Sequence, residues 1–227
     1  FFYYLESVMK HCLVILSLLL AASYVKAQTT TQPLMKYQNK IIPKSIEKEA
    51  LKALSFYPEL KDTPIEFKFK KAIKKSTMQA QPTWASFFRS KEDRGYIILI
   101  SEKFHIEEEE FDIHNVDEDV LIGWLGHELG HVMDYRERTN LGMIFFGLKY
   151  LYSKSHIQEV ERSADTYAVN YGMHEYILAT KNFILNHASI SPKYKKRIMK
   201  FYMSPEEIME LVNSNNNTEE EIEKVLN

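Results

Sequence analysis

The sequence predicts an α+β fold: a small, mainly antiparallel sheet followed by a helical C-terminal half. Three observations carry this. Ile65-Glu66-Phe67-Lys68-Phe69-Lys70 alternates apolar and charged side chains, the period of a half-buried strand. Gly95 to Ser101 is continuously apolar, as a central strand covered on both faces would be. From Asp117 the period changes, with Val120, Leu121, Trp124, Leu125, Glu128 and Leu129 recurring three and four residues apart.

Taken in chain order, Met9-Lys10, an apolar run from Leu13 to Leu20 and the small-residue ending Val25-Lys26-Ala27 predict a signal peptide over residues 1–27. Residues Phe1 to Val8 precede the expected start at Met9. The apolar run is shorter than the ~20 residues of a spanning helix, which favours cleavage over anchoring. The predicted setting is therefore secreted or periplasmic. Cys12, the one cysteine, falls in the leader, so the mature chain must be held by its core and any bound metal.

Residues 28–45, rich in Thr, Gln and Pro at their start, read as a linker, and 46–227 as one domain. Ile46, Ala50, Leu51 and Leu54 share a helix face. Thr83 to Arg89 is aromatic and β-prone and reads as a third strand. Asn115 and Glu118 resemble a capping pair ahead of the long helix, and Asn140 suits its C-terminal cap. The acidic run Glu107 to Asp119 and the basic run Ile65 to Lys75 read as solvated surface, and a net charge of -2 gives no footprint for nucleic acid.

The long helix contains His127-Glu128-Leu129-Gly130-His131. Histidines four residues apart stack on one helix face, so both imidazoles reach one cation, and Zn²⁺ accepts imidazole in a tetrahedral site. Glu128 lies at the edge of that face, where it can accept a proton from a metal-bound water and pass it to a leaving amine. Gly123, Gly126 and Gly130, three of only seven glycines, fall on one side of the same helix. Each costs about 1 kcal/mol there relative to Ala, so a second backbone is expected to pack closely against that side.

A catalytic metal site needs a third protein ligand. Glu159-Val160-Glu161-Arg162-Ser163-Ala164-Asp165 lies downstream. With HExxH, this E-x-x-[AS]-D segment resembles the gluzincin metallopeptidases. The resemblance implies a zincin-like fold, one Zn²⁺ and a peptide or protein substrate. It also implies Glu161 as third ligand and Asp165 as the group that fixes a ligand histidine from behind. Glu159 is the competing ligand, two residues earlier and on another helix face.

The chain further resembles a minimal, soluble relative of the CAAX prenyl proteases and heat-shock membrane proteases, through Ser191-Pro192 and Arg197. Ser191 stands where that subgroup has a histidine thought to bind the oxyanion, which puts catalytic efficiency in doubt. Arg197 is then the candidate to orient the site. Tyr167, Tyr171, His174 and His187 are further candidates for oxyanion contact.

Leu141 to Tyr152 is apolar but too short to span a bilayer. It reads as a buried helix or a loop covering the site, with a membrane-surface or substrate-gripping element as the alternative. The sequence thus predicts a metalloendopeptidase, with Thr83 to Arg89 as the edge strand that would bind an extended peptide. The rival reading is a zinc-binding interaction protein that cleaves little.

Overall fold

A computed structural model describes residues 37–226 apart from 38, 72, 74, 75, 107, 108, 188 and 189. The expected leader and the first part of the linker lie outside the described residues. The fold is α+β, with the order β1 (Lys40–Ile41), α1 (Glu47–Ser55), β2 (Ile65–Lys70), β3 (Met78–Pro82), α2 (Trp84–Phe87), β4 (Tyr96–Ser101), β5 (Lys103–Ile106), β6 (Glu109–Asp112), α3 (Glu118–Glu137), α4 (Asn140–Tyr152), α5 (Lys154–Asn170), α6 (His174–Asn186), α7 (Pro192–Phe201) and α8 (Pro205–Leu226).

The main sheet has the strand order β1-β2-β4-β3. It is mixed rather than mainly antiparallel: β1 and β4 both run parallel to β2, and only β3 is antiparallel to its neighbour. The reason lies in the connection from β2 to β4, which passes along the far edge as β3 instead of folding back as a hairpin. β4 is central, and Ile98, Leu99 and Ile100 are all buried, as its unbroken apolar run implies. Lys40–Ile41, expected in the linker, pairs with Ile65–Glu66 at the opposite edge.

Two strand assignments shift. The β-prone Thr83 to Arg89 segment forms the short helix α2, and the antiparallel strand is its predecessor Met78–Pro82. Thr83 is extended, and Ser86 N–H turns back to its carbonyl. Local hydrogen bonds of the buried Ser86 to Thr83 and to the Gly95 backbone override the segment's β-propensity. Part of the acidic run forms the β5–β6 hairpin.

α3 runs through the interior, packing on β3, α1, α5 and α6. Asp117 is its N-cap residue without a side-chain capping bond, so the Asn115–Glu118 pair does not form the cap. Arg94, 1% exposed, closes the other end. Its guanidinium donates to the carbonyls of Tyr135 at 2.9 Å and Arg138 at 3.1 Å. A cation there complements the negative end of the helix dipole. Asn140 is not the C-cap. It opens α4, with Thr139 as N-cap accepting from Gly142 N–H.

The glycine face of α3 meets two backbones. A Cβ on Gly123 would strike the Tyr176 carbonyl of α6, and one on Gly130 would lie 2.5 Å from the Ala164 carbonyl oxygen of α5. Both positions require glycine because the helices approach to backbone contact. α4 is a helix, but only Met143 and Phe146 are buried in it, so the expectation of a buried cover is corrected. Among the described residues no helix is long and apolar enough to cross a membrane.

Candidate metal centre

α3 supplies His127, Glu128 and His131, and α5 supplies Glu161 and Asp165. The Gly130–Ala164 contact sets the spacing of these two helices within the site itself. His127 Nε2 and His131 Nε2 lie 3.2 and 3.5 Å from Glu161 Oε2. His127, His131 and Glu161 form the one cluster of potential metal ligands found among the described residues. Tetrahedral Zn²⁺ with bonds of about 2.0–2.2 Å has ligand–ligand edges of about 3.3–3.5 Å, which the two distances to Glu161 Oε2 match, and all three ligand atoms lie within 4.8 Å of one another. Glu159 stays outside: its carboxylate is exposed and lies 3.3 Å from His156 Nδ1.

The site gathers buried charge of both signs. Two nearly inaccessible carboxylates, Glu161 and Asp165, face His127. Burial alone would lower the basicity of the His127 ring, but its hydrogen bonds to Asp165 and Glu161 outweigh that and push its pKa up to about 10. Burial raises the Glu161 carboxyl, but its contacts with both His127 and His131 hold it well below the ordinary carboxylate range.

Behind the ligands lies a second layer. Asp165 Oδ1 is 2.9 Å from His127 Nδ1, which directs Nε2 toward Glu161. Asp165 Oδ2 accepts from Lys181 Nζ at 2.8 Å and from Met203 N–H at 3.0 Å. The Lys181 ammonium also lies over the Tyr202 ring, which packs against His127. Lys181 was not anticipated. Its signal is a single cation in the apolar segment Tyr176 to Leu185. Tyr150 was also missed: its hydroxyl donates to Glu161 Oε1 at 2.8 Å. It comes from α4, beyond a helix break at Ser153, so no periodicity links it to Glu161.

Lys181→Met would remove the ammonium paired with the fully buried Asp165 and leave it only His127 and the Met203 amide, at a cost of about 3–5 kcal/mol at neutral pH. Burial raises the Asp165 carboxyl, but Lys181 and His127 prevail and hold it at about 2. A depressed folded-state pKa contributes stability above the unfolded value of about 3.9, and that contribution fades as pH falls toward 2. Denaturant unfolding should therefore show the gap between wild type and variant narrowing from about pH 4 to pH 2. A gap independent of pH would exclude Asp165 as its source.

Glu128 is buried, and its Oε2 accepts from the Ala80 amide of β3 at 2.6 Å. Burial raises its pKa, partly opposed by the two histidines. The result is a carboxylate with increased proton affinity, held beside the ligand cluster.

The remaining candidates separate. Arg197 is exposed on α7 and makes no hydrogen bond to the cluster, although its charge acts on Tyr150. Ser191 is the N-cap of α7, where its Oγ accepts from Tyr194 N–H and Pro192 takes the first helical position. Tyr171 donates to Glu59, and His187 packs between Phe111 and Phe183. No hydrogen bond joins Tyr167, Tyr171, His174 or His187 to the ligand cluster among the described residues. The chain matches no protein-family model, no curated protein and no solved structure.

Proposed function

We propose that the protein is a zinc-dependent metalloendopeptidase of zincin-like, gluzincin type. The observation that carries this is the convergence of His127, His131 and Glu161 ligand atoms within 4.8 Å of one another beside a buried Glu128 whose proton affinity is raised. Zn²⁺, when bound, supplies a Lewis acid and an acidified water. Glu128 accepts the water's proton on the oxygen not engaged by Ala80 and delivers it to the leaving amine. Asp165 and Lys181 keep the His127 ring oriented, and Tyr150 restrains the second oxygen of Glu161. Arg197 is left with an electrostatic role toward Tyr150, not a direct contact with the ligands. With the leader pattern, this reading places the enzyme in a secreted or periplasmic setting.

The peptide-binding edge moves from Thr83 to Arg89 onto β3. Thr77 and Thr83 bond to β4 at its two ends, so the alternate residues Met78, Ala80 and Pro82 turn their polar groups to the open edge. Ala80 N–H is given to Glu128 and Pro82 has no N–H, which leaves their carbonyls to accept from an added peptide strand.

Metal analysis tests the ligand set. Wild type should hold one equivalent of zinc and His131→Ala essentially none, while Glu161→Ala should cost far more affinity than Glu159→Ala. Full zinc retention by His131→Ala would refute the site. The zinc-binding protein with little activity stays the second reading, favoured by the engagement of Ser191 as a helix cap.

A further inference from the structure

α4 is apolar around its whole circumference. Lys149 carries the one charge among its 13 residues. One stripe, Met143 and Phe146, enters the core. The opposite stripe, Leu141, Ile144, Phe145, Leu148 and Leu151, repeats at three and four residues and is 45–72% exposed. Single exposed apolar residues are ordinary, but a continuous stripe marks an interaction surface. It extends further. Asn140 Nδ2 donates to the Arg89 carbonyl at 2.9 Å, bringing the first turn of α4 against the end of α2, where Trp84 and Phe88 are 81% and 79% exposed.

A basic cluster follows α4 in the chain, on the start of α5 and on α7, which packs on α5. α7 carries Lys193, Lys195, Lys196, Arg197 and Lys200 and no acidic residue. Lys193, Lys196, Arg197 and Lys200 line an open cavity together with Lys154, which begins α5 directly after α4. Among the described residues none of these five cations forms an ion pair. The cores of protein–protein interfaces are depleted in lysine, whereas clustered Lys and Arg beside exposed apolar residues suit anionic lipid headgroups. The helix is about 20 Å long, too short for a hydrocarbon layer of about 30 Å, so it would lie in the plane of the surface.

We propose that the outer stripe of α4, with Trp84 and Phe88, inserts shallowly into an anionic lipid bilayer while Lys154 and the basic residues of α7 meet its headgroups.

Sedimentation of the full chain with vesicles tests this. Vesicles of pure phosphatidylcholine are compared with vesicles in which a third of the lipid is phosphatidylglycerol. Wild type should partition onto the anionic vesicles and far less onto the neutral ones. A cation near such a surface strengthens binding roughly five-fold, so Lys196→Glu with Lys200→Glu should weaken it on the order of ten-fold or more. Phe145→Ser with Leu148→Ser should lower it comparably, and salt at about 1 M, where the Debye length is about 3 Å, should weaken wild type. All four positions are exposed, so thermal unfolding should be unchanged. Equal binding by wild type and both variants would place membrane affinity elsewhere in the chain and overturn the proposal. So would a failure to bind anionic vesicles, including the case where gel filtration shows a dimer lost on Phe145→Ser with Leu148→Ser, which would assign the stripe to a second copy. The readout requires neither zinc nor cleavage, so it stands or falls apart from the peptidase reading.

Discussion

Glu128→Gln is expected to lower peptide cleavage by about 10²–10⁴-fold, equivalent to about 3–5 kcal/mol of barrier, while zinc stays at one equivalent. Glutamine keeps the shape and retains an acceptor for the Ala80 amide, so the 2.6 Å contact to β3 has a replacement. What disappears is the proton acceptor. Burial makes Glu128 a stronger base than an exposed glutamate, and its neighbouring histidines limit that rise. The measurement is cleavage of a degenerate peptide library with metal quantified in the same samples, with and without chelator. Zinc-loaded wild type and variant that are equally inert would leave the zinc-binding protein as the better description. Equal cleavage by both would assign the activity to another base or to a contaminant.

Gly130→Ala is expected to reduce both stability and zinc affinity, although alanine is the better helix former by about 1 kcal/mol. The new methyl would lie 2.5 Å from the carbonyl oxygen of Ala164, a backbone atom that no side-chain rotation can move. Overpacking of this kind costs about 1–3 kcal/mol, occasionally more. α5 must retreat, and Ala164 sits directly before Asp165 and three residues after Glu161 in that helix, so the ligand geometry moves with it. Gly147→Ala is the matched control. Gly147 is in α4, and an added Cβ there meets nothing within 4 Å, so the substitution should stabilise by up to about 1 kcal/mol. Chemical denaturation of the two variants should therefore give shifts of opposite sign. Equal shifts would show that α3 and α5 do not touch at Gly130.

The α+β class, the long α3 and its two histidines were legible in the sequence because each rests on local period or local spacing. β4 was legible as central because an apolar run without alternation has two faces to bury. Glycines at 123 and 130 announced a close backbone, whereas Gly126 on the same face makes room for the Met173 side chain.

What local spacing cannot express, the tertiary structure decided. β1, β2 and β4 became parallel because β3 takes the far edge, a choice of connection that no strand's own pattern records. The aromatic Thr83 to Arg89 segment became a helical turn because the buried Ser86 closes it, bonding back to Thr83 and across to Gly95, whereas the less apolar Met78–Pro82 found a partner in β4. Glu161 was named in advance from a motif resemblance, but its separation from Glu159 is a matter of which helix face α3 touches. Tyr150 and Lys181 reach the site from α4 and α6, 11 and 16 residues from the groups they bond. Only the packing of four helices brings an acid, a ring, an ammonium and a phenol to one point. The exposure of α4 likewise belongs to the fold: its sequence is apolar on every face, and only the arrangement of its neighbours determines which face remains uncovered.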